Sequence, residues 1–331
     1  IGLEMAGVDN RPYLFLDEIQ NIKGWEKFVR RIADMKYRIN ITGSNSKMLS
    51  SEIASTLGGR FMIVDIYPYS FPEYLLAQGK NKNYLDILST KDRAEVLGMY
   101  DQYVKYGAFP ELVGIRNKRE FLNSIYQTIY LGDIITRNKI TNDFAVRLIL
   151  KKIAESITKP LSFNRLGNIL KSAGAAIGKQ TVINYVGYMM DSYMLFTLQN
   201  YAAKLIQKET SPKYYFMDTG LLGLMLMDCS SAQLENLVAI ELIRRFGREK
   251  VFYFENNVEI DFYIPEEKLA IQVSMQVLDQ IETREREIGA FLKLRNFIEG
   301  ARCILITNSE EAELDCDGIH VSVVPAWKWL L

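Results

Sequence analysis

The chain has 331 residues, of which 48% are hydrophobic and 24% are charged, and its 40 basic and 40 acidic side chains cancel. This composition is typical of a globular protein, and the length predicts two or three domains, because single cores rarely grow beyond roughly 250 residues. Zero net charge excludes a general attraction to polyanions. Residues 141–220 are still locally basic, since ten basic side chains there outnumber five acidic ones.

Residues that bind soft metals or act in nucleophilic catalysis are scarce. The chain has three scattered cysteines, Cys229, Cys303 and Cys316, and one histidine, His320. So few cysteines and histidines argue against a disulfide framework, a zinc site and a histidine-activated nucleophile. No apolar stretch reaches the roughly 18 residues that span a bilayer. We therefore expect a cytoplasmic protein whose chemistry depends on carboxylates, hydroxyls, amides and basic groups.

The first 77 residues alternate short apolar strands with helices. Strands are predicted at 14–16, 38–42 and 61–66, and a helix is predicted at 24–35. This order predicts a parallel crossover unit and hence part of a parallel α/β sheet. Two prolines within residues 67–72 predict a rigid turn before the next helix.

The remainder of the chain is predicted to contain a helical segment, a helix-rich module and an α/β domain. Residues 92–140 have helical patterning, interrupted at 107–110. The plan of a winged helix follows, with helices at 144–158, 162–172 and 179–192 and strands at 194–199 and 213–217. The final domain is predicted to consist of a helix, three strands, a helix and a strand, at 233–246, 251–255, 258–264, 269–274, 281–297 and 301–307.

Two carboxylates, Asp17 and Glu18, end the first apolar strand. This is the Walker B pattern, in which a buried strand brings one acid to Mg²⁺ and another to the attacking water at the carboxyl edge of a parallel sheet. Alternatively, an acidic pair can simply form a solvated turn. The next strand ends in Thr42-Gly43-Ser44-Asn45, which favours the first interpretation, because small polar side chains there would meet the carboxylates as a γ-phosphate sensor.

Arg60 follows two glycines and is a candidate arginine finger, which would reach a phosphate across a subunit boundary in a homo-oligomer. An ordinary ion pair beside a flexible turn explains it equally well.

Several strings in a fixed order resemble one known family. They are LFLDEIQNIKGWEKFVRRIAD, INITGSNSKMLSSEIASTLGGRF, YPYSFPEYL, YGAFPE and YFMDTGL. Together they resemble prokaryotic AAA-type P-loop ATPases with a C-terminal DUF4143 domain. The resemblance implies that Asp17 coordinates Mg²⁺, that Glu18 polarises water, and that Ser44 and Asn45 sense the nucleotide. It also implies a Walker A loop ahead of the Walker B strand. This chain contains none, so we expect its start to be a truncation and its own affinity for ATP to be poor.

The third helix of the predicted winged helix carries polar side chains that suit nucleic-acid contact. Lys179, Gln180 and Asn184 would face phosphates or base edges, and Lys208 would lie at the tip of the hairpin. Alternatively, this module packs against the ATPase core and transmits the state of the nucleotide. The sequence leaves both interpretations open.

The last domain resembles the restriction-endonuclease-like PD-(D/E)xK fold, with Glu241 on its first helix, Asp261 on one strand, and Gln272 and Ser274 on the next. Active members bind a metal through such acids and use a lysine to assist the attacking water. Gln272 stands where a carboxylate is expected, and Ser274 stands where the lysine is expected. We therefore expect a degenerate site with a scaffold or nucleic-acid docking role.

These interpretations predict four regions: the C-terminal part of an ATPase core at 1–77, a helical connector at 78–140, a winged helix at 141–228 and an endonuclease-like domain at 229–331. The expected function is hydrolysis of ATP with Mg²⁺, coupled to the two following modules. The alternatives are a DNA-binding protein and a metal-dependent nuclease.

Overall fold

The computed structural model describes residues 13–19, 22, 24–44, 57, 61–80, 90–175, 177–226 and 230–331. The chain forms two compact units. The smaller unit comprises residues 1–66 with 189–193, and the larger unit comprises residues 67–188 and 194–331. No helix among the described residues combines the length and apolar character that crossing a bilayer requires.

The smaller unit contains a parallel strand pair covered by a helix. Strand β1 (Tyr13–Leu16) pairs in parallel with β2 (Arg38–Ile41), and helix α1 (Trp25–Asp34) connects them. The crossover unit predicted from the sequence is therefore present. Ile19, Trp25 and Val29 form its buried core, against which Leu16, Ile39, Ile41 and Leu57 pack.

The outer face of β1 is more exposed than a Walker B strand was predicted to be. Tyr13 and Phe15 are 57% and 76% exposed, whereas the alternate residues Leu14 and Leu16 are half-buried. Successive side chains of a strand point to opposite faces, and α1 covers the face that carries Leu16. The prediction of a third strand at 61–66 is wrong, because these residues are irregular and largely exposed.

Most helices of the larger unit match predicted helical segments, whereas three short ones, at 205–210, 219–225 and 326–329, were not predicted. Their bounds, in chain order, are α2 (Phe71–Ala77), α3 (Thr90–Tyr106), α4 (Lys118–Gln127), α5 (Asp143–Ala154), α6 (Phe163–Ser172), α7 (Lys179–Asp191), α8 (Leu205–Thr210), α9 (Thr219–Met225), α10 (Ser230–Phe246), α11 (Ile281–Leu294) and α12 (Ala326–Trp329). A 3₁₀ turn at Pro110–Leu112 follows α3, and a π-helix at Thr128–Thr136 continues α4. Polar side chains begin several of these helices. Ser70 and Glu73 form a capping box on α2, and Ser162 accepts the amide of Arg165 at the start of α6.

An eight-stranded mixed sheet forms the centre of the larger unit. Its strands are β3 (Leu195–Asn200), β4 (Lys213–Phe216), β5 (Phe252–Glu255), β6 (Glu259–Ile264), β7 (Leu269–Ser274), β8 (Arg302–Thr307), β9 (Ala312–Cys316) and β10 (Ile319–Pro325). They lie in the order β4-β3-β5-β6-β7-β8-β10-β9. Strands β5, β6 and β7 form an antiparallel meander, and β8 lies parallel to β7 after helix α11.

The predicted winged-helix hairpin belongs to this same sheet. Residues 195–198 of β3 pair antiparallel with β4, whereas Gln199 and Asn200 pair in parallel with β5. One strand therefore joins the hairpin to the predicted endonuclease-like domain. The two predicted modules share a single sheet, and neither forms a separate compact unit.

Helix α10 is buried along most of its length and holds strand β4 in place. Residues 233–243 are all buried. The amide of Asn236 accepts the N–H of Phe216 at 2.7 Å and donates to its carbonyl at 2.9 Å. A side chain thus supplies the two hydrogen bonds that a neighbouring strand would otherwise supply.

The strings YGAFPE and YFMDTGL meet at the buried carboxylate of Asp218. It accepts the amides of Ala108 at 2.7 Å and Gly220 at 2.8 Å, the second of them at the start of α9. Gly107 has a φ of +78°, and a Cβ there would overlap this carboxylate. A Cβ added at Gly220 would likewise overlap the carbonyl of Tyr106. The two segments therefore hold each other in place through hydrogen bonds and close packing at Asp218. We call this contact the Asp218 clasp.

Candidate functional site

The ends of β1 and β2 bring four polar side chains to one edge of the smaller unit. Asp17 accepts a hydrogen bond from the hydroxyl of Thr42. The carboxylate of Glu18 accepts the backbone N–H of Ser44 at 3.1 Å and its hydroxyl at 3.2 Å. Parallel pairing explains this arrangement, because Leu16 lies opposite Ile41 and the residues after both strands leave the sheet at the same edge.

This edge is open to solvent on the side of its acids. Asp17 is exposed and Glu18 is half-buried. Glu18 also has a φ of +46°, a conformation that non-glycine residues rarely adopt and that is common at functional sites. Carboxylates and hydroxyls are the ligands that Mg²⁺ prefers, so the residue types at this edge suit a magnesium nucleotide. Asp17 is the group that would hold the ion, with its carboxylate oriented by Thr42.

Two of the predicted nucleotide-site residues, Asn45 and Arg60, lie outside the described residues. Ser44 is described and lies beside Glu18, as the strand order predicts. Thr42 was not singled out as a site residue by sequence, although it bonds Asp17 directly. Its position directly after the second strand was the signal that could have identified it.

The predicted nucleic-acid residues of α7 share one exposed face. Lys179, Gln180 and Asn184 are exposed, whereas Val182 and Val186 on the same helix are buried. Gln180 donates to Asn184 at 3.1 Å. Lys208 lies on the short helix α8 of the hairpin, where its ammonium is near the rings of Tyr201 and Phe252.

A second group of carboxylates lies in the larger unit and surrounds a lysine. The ammonium of Lys213 is fully buried and lies 2.9 Å from Glu259, 3.6 Å from Asp261 and 3.7 Å from Glu235. The hydroxyl of Tyr215 donates to Glu235 at 2.8 Å. We call Lys213, Glu235, Glu259 and Asp261 the Lys213 cluster.

Burial and charge shift the titration of this cluster strongly. Burial alone would lower the pKa of Lys213, but the carboxylates of Glu235, Asp261 and Glu259 together raise it above its usual value. Burial raises the pKa of Glu235 to about 8; the charge of Asp261 adds to this shift, and Lys213 opposes it. Burial also raises the pKa of Asp261. The lysine is therefore charged, and its acids compete for that single charge.

The acid of α10 that lies near Asp261 is Glu235 and not the predicted Glu241. Glu241 was predicted there, but its carboxylate pairs with Arg245 at 2.7 Å and Arg244 at 3.4 Å. Glu235 takes that place. Six residues turn a helix by about 240° beyond a full circle, so the two glutamates of α10 face different directions.

The side chains of Gln272 and Ser274 form hydrogen bonds with neighbouring backbone groups. The Gln272 side chain accepts the N–H of Asp261 at 2.8 Å and donates to the carbonyl of Glu259 at 3.2 Å. Asp261 in turn accepts the N–H of Val273 at 2.9 Å, and Ser274 donates to the carbonyl of Gln276. The three bonds of Gln272 and Asp261 join β6 to β7, whereas the bond of Ser274 stays at the end of β7.

The Lys213 cluster does not fit a divalent metal. Gln272 is buried with its amide engaged, and an ammonium already lies among the carboxylates. Within the described ranges, no group of three or more histidine, cysteine, aspartate or glutamate side chains is arranged to hold a metal ion. Nuclease chemistry through a metal therefore has no support in this arrangement.

Comparisons with known proteins place the chain among uncharacterized relatives. Residues 3–75 match a family described as an AAA domain, and residues 97–232 match a domain of unknown function, DUF8612. The resemblance to DUF4143 is corrected by the second match. The chain is 33% identical to an uncharacterized protein, MJ1544, of Methanocaldococcus jannaschii, over 98% of this chain and 76% of the relative. It is 29% identical to an uncharacterized protein of Haemophilus influenzae, over 98% of this chain and 79% of that relative.

Proposed function

Because the chain belongs to the same family as MJ1544 of Methanocaldococcus jannaschii and contains an AAA-domain segment, we propose that it acts in ATP hydrolysis through the strand edge at Asp17 and Glu18. The observation that carries this proposal is the convergence of Asp17, Glu18, Thr42 and Ser44 at the ends of two parallel strands. An AAA domain generally uses such an edge for ATP and Mg²⁺.

Each residue of the edge has a role that follows from its contacts. Asp17 would hold Mg²⁺, with the hydroxyl of Thr42 fixing the orientation of its carboxylate. Glu18 would orient the attacking water and accept its proton. Ser44 contacts Glu18 through both its amide and its hydroxyl, so a change at the γ-phosphate sensed by Ser44 would reach the base directly. Bound Mg²⁺ would neutralise the charge that develops on the phosphates.

Replacing Glu18 with glutamine in the full-length natural protein tests this proposal. Glutamine keeps the shape of the side chain but cannot accept a proton, so we expect turnover of ATP to fall by about 100-fold or more while ATP stays bound. Turnover is measured as phosphate release, and retention of the nucleotide is measured by filter binding.

Asp34→Asn is the matched control. Asp34 is an exposed residue at the end of α1, which runs back to the opposite edge of the parallel strand pair, so this variant should turn over ATP at the wild-type rate. Undiminished turnover in Glu18→Gln would remove Glu18 from the mechanism.

A second candidate function, binding to DNA, is favoured by the exposed polar face of α7. Phosphate contacts by Lys179 or Lys208 would make the affinity fall with salt, and each lost contact would lower the slope of log affinity against log salt by about 0.9. Duplex binding by Lys179→Ala and Lys208→Ala, measured over a series of salt concentrations, tests this function. Lys293→Ala, an exposed lysine of α11, is the control. Affinity that is independent of salt and of both lysines would exclude the function.

A further inference from the structure

The ammonium of Lys213 reaches its carboxylates from a strand at the end of the sheet. Lys213 begins β4, opposite Leu198 of β3, and at the next residue β3 changes its partner to β5. The start of β4 therefore lies beside β5, and the ammonium passes 5.4 Å from the ring of Tyr253 on that strand. From there it meets Glu259 and Asp261 on β6 and Glu235 on α10.

A fully buried ammonium is stable only where opposite charge compensates it. Removing a charged group from water costs several kcal/mol even after relaxation, and ion pairs with good geometry offset that cost. Three carboxylates surround the Lys213 ammonium at 2.9, 3.6 and 3.7 Å, although it makes no hydrogen bond of regular geometry within the described residues. The reverse also holds for the buried Glu235 and for Asp261, whose side chain is 16% exposed, since both need a nearby cation when they are ionised.

Of these carboxylates, Asp261 is a predicted metal ligand of the endonuclease-like site, and Glu235 lies on the same helix as the predicted Glu241, which pairs with arginines instead. Glu235 comes from the helix that opens the domain, and Asp261 comes from the second strand of the meander. The third position is occupied by Gln272, which carries no charge and bonds the backbone of β6. A centre with one less carboxylate suits a cation of lower charge.

We propose that the Lys213 ammonium is the resident cation of this centre, in place of a divalent metal, and that its removal turns the centre into a binding site for a divalent cation. The larger unit then folds without a metal. The ammonium also ties the β3–β4 hairpin to the β5–β7 meander, because its partners lie on β6 and α10.

Melting of the full chain in EDTA and in Mn²⁺ tests the proposal. Mn²⁺ is the probe because it is a divalent cation that accepts carboxylate ligands. We expect the wild-type melting temperature to be the same in both buffers. Lys213→Ala should melt roughly 10 °C lower in EDTA, because the buried Glu235 and the half-buried Asp261 lose their cation. Mn²⁺ should restore at least half of that loss.

Two controls connect any effect of Mn²⁺ to this centre. The double variant Lys213→Ala with Asp261→Asn should lose the restoration, because one ligand is gone. Lys250→Ala removes an exposed ammonium that pairs with Glu266 at 2.7 Å, and it should melt like wild type with no response to Mn²⁺.

Two results would overturn the proposal outright. One is a response of the wild-type chain to Mn²⁺ that disappears in Asp261→Asn, since the centre would then already hold a metal. The other is a Lys213→Ala chain that folds but gains no melting temperature from Mn²⁺.

If Lys213→Ala gives no folded protein in EDTA, Lys213→Met is compared in the same two buffers, because it keeps the length of the side chain. If neither variant folds in Mn²⁺, the metal cannot replace the ammonium and the proposal is wrong.

Discussion

The two units contain aspartates that differ in solvent exposure and in the charge of their nearest partner. At the edge of the smaller unit, Asp17 is exposed and its partner is the neutral hydroxyl of Thr42. In the larger unit, the side chain of Asp261 is 16% exposed and lies 3.6 Å from a fully buried ammonium. Both residues are aspartates in α/β units, since Asp17 directly follows β1 and Asp261 lies on β6, so the type of residue does not distinguish them. The difference is that the first edge leaves room for an external cation and the second already contains its own.

The most enclosed carboxylate should be the most sensitive to added volume. Gly107→Ala places a methyl group against the carboxylate of Asp218 at a φ that favours glycine. We expect it to lower the free energy of unfolding by about 3 kcal/mol or more, measured by urea denaturation.

Gly98→Ala is the matched control for that variant. Gly98 lies within α3, where an added Cβ meets no atom within 4 Å. It should stabilise the chain by up to about 1 kcal/mol, because alanine favours a helix interior. Equal effects of the two substitutions would contradict the Asp218 clasp.

Replacing one aspartate with asparagine in each unit compares the energetic importance of the exposed and the less exposed carboxylate directly. Asp261→Asn places an NH₂ group near the Lys213 ammonium or the N–H of Val273, and we expect a loss of about 1–3 kcal/mol in the free energy of unfolding. Asp17→Asn keeps an oxygen for the hydroxyl of Thr42, and it should change stability by less than about 0.5 kcal/mol. Similar losses at both positions would show that the lower exposure of Asp261 has no energetic consequence.

Stability should also depend on pH through Glu235. Its pKa of about 8 in the folded chain is above its usual value of 4.5, so the folded state binds more protons between these values. Stability therefore falls as pH rises through this window, by at most about 1.4 kcal/mol per pH unit. Urea midpoints measured from about pH 6 to about pH 8 should fall less in Glu235→Gln than in wild type. Parallel profiles would rule out Glu235 as the titrating group.

The sequence predicted elements well where the signal is local. The meander, α11 and β8 lie within two or three residues of their predicted bounds, because strand and helix periodicities differ clearly there. The strand predicted at 61–66 has the same apolar character but does not pair within the described residues. An apolar run shows that a strand is able to form, whereas pairing depends on a neighbour elsewhere in the chain. Strands β9 and β10 and helices α8, α9 and α12 were not predicted at all.

The strand edge could be predicted from sequence, and the Lys213 cluster could not. Asp17, Glu18 and Ser44 follow two predicted parallel strands, so topology alone brings them together. Lys213 approaches Asp261 only because β3 changes partners in mid-strand, which no local pattern reveals. The choice between Glu235 and Glu241 likewise depends on which face of α10 packs against β4.

The bond pair between Asn236 and Phe216 has a consequence for how the molecule behaves in a crowded solution. Strand β4 ends the eight-stranded sheet, and a bare terminal strand can recruit a strand from another molecule and start aggregation. Asn236 occupies the hydrogen-bonding groups of Phe216 on that border. At the opposite border, β9 presents the exposed charges Glu313 and Asp315, both paired with His320. The sheet is thus protected at one border by an amide and at the other by charge.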